Sequence, residues 1–173
     1  MQKKLAVYAG TFDVLTVGHL WMIEQGARLF ENLVVAIGVN PEKRCMFSLD
    51  ERYQMLTDST AQFRNVSRDI FKNQFLISYA KSVGAKFILR GIRTETDYEY
   101  ERTMRNINAD IDPDILTVPL MPPREIAEVS SSMVRGLVGP DGWETIVKKY
   151  VPEPVFEKLR EAHRAKENQA KMA

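Results

Sequence analysis

The chain has 173 residues, 45% of them hydrophobic, enough to bury one substantial core and too few for two comfortable domains. Lys and Arg total 24 against 23 for Asp and Glu, so no global field favours nucleic acid or an acidic membrane surface, and any phosphate binding has to be local. The single cysteine, Cys45, cannot close an internal disulfide, which fits a reducing cytoplasm, and with only two histidines a zinc site built from His and Cys would have to be completed by carboxylates, which counts against structural zinc.

The apolar run Leu5 to Ala9 reads as a buried strand that stops in the turn Gly10-Thr11-Phe12-Asp13, and it is too short for a signal peptide or a membrane span. A helix is predicted from Gly18-His19, with Leu20, Ile23, Ala27 and Phe30 at helical spacing, followed by a second strand at Leu33 to Val39. Ser48 with Glu51 three residues on is a capping-box signature for a helix to about Ala61. A weaker strand at Asn65 to Ile70 and a helix over Phe75 to Val83 follow, closed by Gly84 at the C-cap. Lys86 to Leu89 is a short strand stopping at Arg90-Gly91, and Thr94 with Asp97 opens a helix to about Ile111. Ile115 to Met121 is a fifth strand, ended by Pro122-Pro123, and Ser130 caps a helix through Val134 and Leu137. A helix from Trp143 to Tyr150, a break at Pro152 to Pro154 and a polar C-terminal helix complete the chain. The expected organisation is one domain over residues 1–160 with a polar helical tail over 161–173.

Strands too apolar to face water, alternating with helices, predict a doubly wound α/β fold with a parallel five-stranded sheet. In such sheets ligands bind beyond the carboxyl ends of the strands, so chemistry belongs in the loops near residues 9–19, 40–47, 90–101 and 122–132. No Gly-x-Gly-x-x-Gly turn and no Walker A sequence follows any strand, which counts against a dinucleotide-dependent redox enzyme or a P-loop ATPase. The loops hold Gly10-Thr11-Phe12-Asp13, Thr16-Val17-Gly18-His19, Arg90-Gly91-Ile92-Arg93 and Ser130-Ser131-Ser132-Met133-Val134-Arg135 instead. Glycines allow close approach of phosphate to backbone, helix-start amides favour anions, and hydroxyls and guanidinium forks add directed donors. These segments describe a polyphosphate cradle.

Thr-x-Gly-His near the N-terminus and Ser-Ser-Ser-x-Val-Arg near residue 130 resemble the two signatures of the HxGH-type nucleotidyltransferase superfamily. Tyr8 to Asp13, Lys43 before Met46-Phe47, Arg90 to Arg93, Asp97 to Glu101 and Met121-Pro122 resemble, in order and spacing, the phosphopantetheine adenylyltransferase family, over roughly residues 4–160. The chain departs from the family's usual residues at Ala9, Val14 and Val17, over Lys72 to Leu76, and at Ile126-Ala127-Glu128, where an aromatic-Ser-aromatic stretch is usual.

The resemblance implies transfer of AMP from ATP to 4'-phosphopantetheine, giving dephospho-CoA and pyrophosphate. It implies that His19 and Thr11 stabilise the transferring phosphate with Lys43, and that Thr11, Lys43, Leu76 and Arg90 hold the acceptor. ATP is expected on Thr11, Phe12, His19, Gly91, Ile92, Arg93, Glu101, Ile126, Ala127, Glu128, Val129, Ser130, Ser131 and Ser132. Mg2+ is expected to ride mainly on phosphate oxygens and water, with no protein metal site. The resemblance further implies a homo-oligomer, a hexamer, with dephospho-CoA or CoA as product or feedback ligand, and no nucleic-acid or membrane partner. Two rival readings are a sibling enzyme acting on nicotinamide mononucleotide, against which the Arg-Gly-Ile-Arg and Asp-Tyr-Glu-Tyr-Glu segments count, and a catalytically silent nucleotide-binding module, against which the joint presence of Thr11, His19, Lys43 and Arg90 counts.

Overall fold

A computed structural model describes residues 4–172, and the side chains of residues 4–170. Five strands form one sheet: β1 (Leu5–Gly10), β2 (Asn32–Val39), β3 (Val66–Lys72), β4 (Phe87–Gly91) and β5 (Leu116–Leu120), in the order β3-β2-β1-β4-β5. Every pairing is parallel, with Tyr8 beside both Val35 and Leu89 at the centre. The doubly wound parallel sheet expected from the sequence is therefore present.

The helices are α1 (Val17–Leu29), α2 (Leu49–Ser59), α3 (Leu76–Ser82), α4 (Glu95–Ile111), α5 (Arg124–Ala127), α6 (Ser131–Leu137), α7 (Trp143–Val147) and α8 (Glu153–Met172). Three of the expected caps form: Ser48 accepts from Glu51 N, Thr94 from Asp97 N and Ser130 from Met133 N. Such caps satisfy amides that the first helical turn leaves orphaned. The short helix α5 goes unannounced in the sequence, because Arg124–Ala127 spans too little for any periodicity. At the C-terminal end α8 runs without interruption past residue 160, where Val155, Phe156 and Leu159 face the core, and Pro154 falls in its first turn, where a missing amide costs nothing. The strand β4 also extends two residues further than expected, taking Arg90 and Gly91 into the sheet.

Alternate residues of the central strands go to opposite faces, as the pleat requires. Ala6, Tyr8, Val35 and Ile37 join the larger core with α1, α2 and the C-terminal helices, while Val7, Ala9, Val34 and Ala36 join the smaller one with α3. Helix α1 lies close on the sheet at Gly26, where a Cβ would come within 2.9 Å of Leu33 and Leu89 side-chain carbons. The chain leaves β1 toward β2 and β4 toward β5, in opposite directions across the sheet, so the carboxyl ends of these adjacent strands define the crevice of a doubly wound sheet.

Candidate active site

The loop after β1 turns through Phe12, whose φ of 49° places it in the left-handed region. A non-glycine residue there carries strain that the surroundings must hold, and Phe12 is wedged at 2% exposure with its ring edge-on to Tyr8 and His19. Gly10 makes room for that ring, since a Cβ there would lie 3.0 Å from the Phe12 ζ-carbon. Thr16 then caps α1, and the cap is reciprocal: His19 N donates to Thr16 Oγ1, and Thr16 N donates to His19 Nδ1 at 3.1 Å.

That second bond decides the chemistry of His19. A backbone N–H can only donate, so Nδ1 is an acceptor and the ring proton resides on Nε2. Desolvation of the imidazole, followed by the nearby Arg93 cation, pushes its pKa down to about 4. His19 is thus neutral at physiological pH, with Nδ1 turned to its own loop and Nε2–H left for the cleft.

The cleft has two lobes. The first, about 310 Å³, is lined by Tyr8, Gly10, His19, Met22, Arg90, Gly91, Arg93, Pro122, Ile126, Val129 and Ser130 to Ser132, among others. The second, about 400 Å³, is lined by Thr11, Phe12, Asp13, His19, Lys43, Arg44, Cys45, Ser131, Ser132 and Arg135. His19, Ser131 and Ser132 belong to both walls, so the imidazole stands at the junction. Leu76, Ile92, Glu101, Ala127 and Glu128 line neither lobe. Ile92 instead donates its N–H to Leu120 O and packs inward, and Lys43 and Arg90 stand in different lobes.

Acids on α4 hold the arginines of the first lobe. Arg90 Nη2 is ion-paired with Glu101, itself 8% exposed. Burial alone favours the neutral guanidine, but the Glu101 hydrogen bond and charge outweigh it and hold Arg90 firmly protonated. Arg93 Nε donates to Asp97 Oδ2 at 3.0 Å, and the Arg93 N–H reaches the same oxygen. Burial works against ionisation of Asp97, and these Arg93 bonds overcome it, so its carboxyl stays below the usual range. Among the described residues no group of three or more His, Cys, Asp and Glu side chains could hold a metal ion.

Asp13 and Arg135 lay in the expected loop motifs without a role of their own, and Arg52 escaped the sequence reading altogether. Asp13 accepts from Met46 N and Phe47 N, Arg52 Nη1 donates to Thr11 O at 2.8 Å, and Arg135 Nη1 donates to Asp13 O. Arg52 left one signal: it precedes Met55 and Leu56 at helical spacing, a charge on the apolar face of α2.

Apolar walls, guanidinium groups and serines, and a neutral imidazole in the first turn of α1 at the carboxyl edge of a doubly wound sheet, make a site of the nucleotidyltransferase class. The profile of the cytidylyltransferase-like family matches residues 7–137. The phosphopantetheine adenylyltransferase of Chromobacterium violaceum is 60% identical over 90% of this chain and 95% of its own length, and that of Neisseria meningitidis 58% identical over 91% and 93%. The chain belongs to the phosphopantetheine adenylyltransferase family. In fold it is similar to a nicotinic acid mononucleotide adenylyltransferase from Plasmodium falciparum, complexed with NaAD, at a TM-score of 0.68 and 14% identity over 91% of this chain and 94% of that one.

Proposed function

We propose that this chain transfers AMP from Mg-ATP to the phosphate of 4'-phosphopantetheine in the cytoplasm, releasing pyrophosphate and leaving dephospho-CoA for coenzyme A biosynthesis. The observation that carries the proposal is the neutral His19, standing where the two lobes of the cleft meet.

The first lobe suits the nucleotide, with Ile126 and Val129 against the base and Gly91, Arg93 and Ser130 to Ser132 around ribose and phosphates. Ile92, Ala127 and Glu128 adjoin that wall along the chain, Phe12 abuts it from the second lobe with its ring against His19, and Glu101 reaches the nucleotide once it leaves Arg90. The acceptor's phosphate is met by Thr11 and Lys43 from one lobe and Arg90 from the other, with Leu76 along the pantetheine arm. Mg2+ arrives with the triphosphate as part of the substrate, held by phosphate oxygens and water.

An oxygen of the acceptor phosphate forms its bond to the α-phosphorus as the bond to the bridging oxygen of the leaving pyrophosphate breaks. The acceptor is already ionised, so the protein supplies position and charge stabilisation. His19 Nε2–H donates to the non-bridging oxygens as their charge grows, and Lys43 and Thr11 follow the same charge. Neither Ser130 nor Ser131 is set up as a covalent nucleophile: Ser130 Oγ caps Met133 N, and Ser131 Oγ donates to Val14 O at 2.7 Å.

The chain further assembles as a homo-oligomer, a hexamer, with CoA or dephospho-CoA as feedback ligand. The exposed apolar residues Tyr100, Ile107 and Ile111 recur at helical spacing on α4, and Leu116 is 57% exposed on the edge strand β5, a face that supports self-association. Pyrophosphate release from Mg-ATP, measured with 4'-phosphopantetheine and with nicotinamide mononucleotide in turn, tests the function. Turnover with the first and little with the second is expected, and the reverse preference overturns the acceptor.

A further inference from the structure

The loop between β2 and α2 carries Lys43, yet its own hydrogen bonds are local: Lys43 N donates to Asn40 O and Glu42 N to Asn40 Oδ1. Among the described residues, and apart from the Ser48 cap on α2, its hydrogen bonds to the rest of the molecule end on one side chain. Asp13, 5% exposed, accepts from Met46 N at 2.9 Å through Oδ2 and from Phe47 N at 3.1 Å through Oδ1. The same carboxylate lies 3.4 Å from Arg135 Nη1, so its charge is met from α6 as well. Asp13 itself belongs to a turn pinned on both sides, by Arg52 to Thr11 O and by Ser131 to Val14 O.

We propose that Asp13 is a positioning residue for adenylyl transfer, fixing the Lys43 loop at a set distance from Thr11 and His19 through the Met46 and Phe47 amides. Met46 N reaches both oxygens, Phe47 N reaches Oδ1 and Arg135 Nη1 faces Oδ2, so only an acceptor with two oxygens meets all three donors. An amide side chain of the same size would turn a donor toward one of those donors, letting the loop move while the apolar packing of Phe47 stays. The inference rests on the transfer reading above. Its consequence is specific: a displaced Lys43 contributes little, so removing it a second time costs little.

The test is a double-mutant cycle read in turnover. Asp13→Asn is expected to lower kcat about 10- to 100-fold, the scale of a 1 Å misplacement, with ATP affinity within about 3-fold of the wild type. In that background Lys43→Ala is expected to cost under a third of its cost in the wild type, whereas Arg93→Ala costs the same in both. Fully multiplicative losses from Asp13→Asn and Lys43→Ala, or an Asp13→Asn protein with wild-type kcat, overturn the proposal. Amide hydrogen exchange on the wild-type chain is independent of whether the variant folds: the Met46 and Phe47 amides should be protected far beyond those of residues 41–44, and free exchange at both overturns the proposal. A wild-type chain that releases no pyrophosphate overturns the transfer reading instead, a result separate from an active wild type whose Asp13→Asn variant keeps its rate.

Discussion

The two walls of the cleft are held together in different ways. On one side, the turn after β1 and the loop after β2 are fastened by buried groups reaching for backbone: Arg52 to Thr11 O, Asp13 to the Met46 and Phe47 amides, Thr16 N to His19. On the other, Arg90 and Arg93 are held by side-chain pairs with Glu101 and Asp97 on α4, and the Arg93 side chain is 39% exposed. Backbone ties leave no alternative geometry, whereas a side-chain ion pair can exchange its carboxylate for a phosphate of like charge. In the proposed transfer, the first wall is therefore the one preorganised for the transition state, and the second the adaptable one that binds. Preorganised donors raise turnover, and groups that contact ground state and transition state alike change affinity.

The comparison breaks most sharply at His19. His19→Ala is expected to lower turnover by about two to three orders of magnitude, the scale of one transition-state donor, with folding intact. Wild-type turnover in that variant would remove His19 from the mechanism. The acid limb of stability provides a companion test. The unfolded chain protonates His19 near the ordinary pKa of about 6.5, the folded one only near 4, so the unfolded state binds more protons between those values. The contribution of His19 to stability is thus present above about pH 6.5 and is lost as pH falls toward 4. Denaturation curves across that window should show a flatter slope for His19→Asn than for the wild type.

On the adaptable wall, Arg90→Ala is expected to weaken 4'-phosphopantetheine binding by about 1.5 to 3 kcal/mol, the range for a charge-assisted hydrogen bond, with ATP affinity nearly unchanged. Titration calorimetry with each ligand measures the divergence, and a variant that loses ATP but keeps the acceptor means that Arg90 serves the nucleotide sharing its lobe and not the acceptor. A smaller effect of mixed sign is expected for Glu101→Gln. Freed from its partner, Arg90 should bind the acceptor's phosphate a few-fold more tightly, while ATP loses a contact. Acceptor binding that falls as far as in Arg90→Ala would mean the pair is only structural. The smallest change is expected for Asp97→Asn, which releases an exposed arginine and should reduce ATP affinity by about 1 kcal/mol or less. A tenfold or greater loss would place Asp97 itself against the nucleotide.

The contrast between the walls also explains what the sequence made legible. Strand runs, capping boxes and the His19, Arg90 and Ser130 motifs are local patterns, and each lies within a few residues of where it was expected. Asp13 was visible only as part of a turn, because its partners lie 33 and 34 residues away. Arg52 meets Thr11 across 41 residues, and a charge on an apolar helix face does not say what it meets. The pairing of Arg90 with Glu101 was hidden for another reason: each residue reads as a ligand contact, and nothing local in the sequence ties a strand-end arginine to an acid 11 residues on. Extension of β4 through Gly91 followed from its ladder with Leu120, a contact between strands that no single strand announces.

The central claim is a single in-line displacement at the α-phosphorus, driven by a wall that stabilises charge and contributes no covalent nucleophile. Its most direct test is stereochemical. With one diastereomer of ATP carrying sulfur and isotopic oxygen at the α-phosphorus, and 4'-phosphopantetheine as acceptor, the configuration of the product phosphorus reports the number of displacements. One direct transfer predicts inversion. Retention would require two displacements through an adenylylated side chain and would contradict the account.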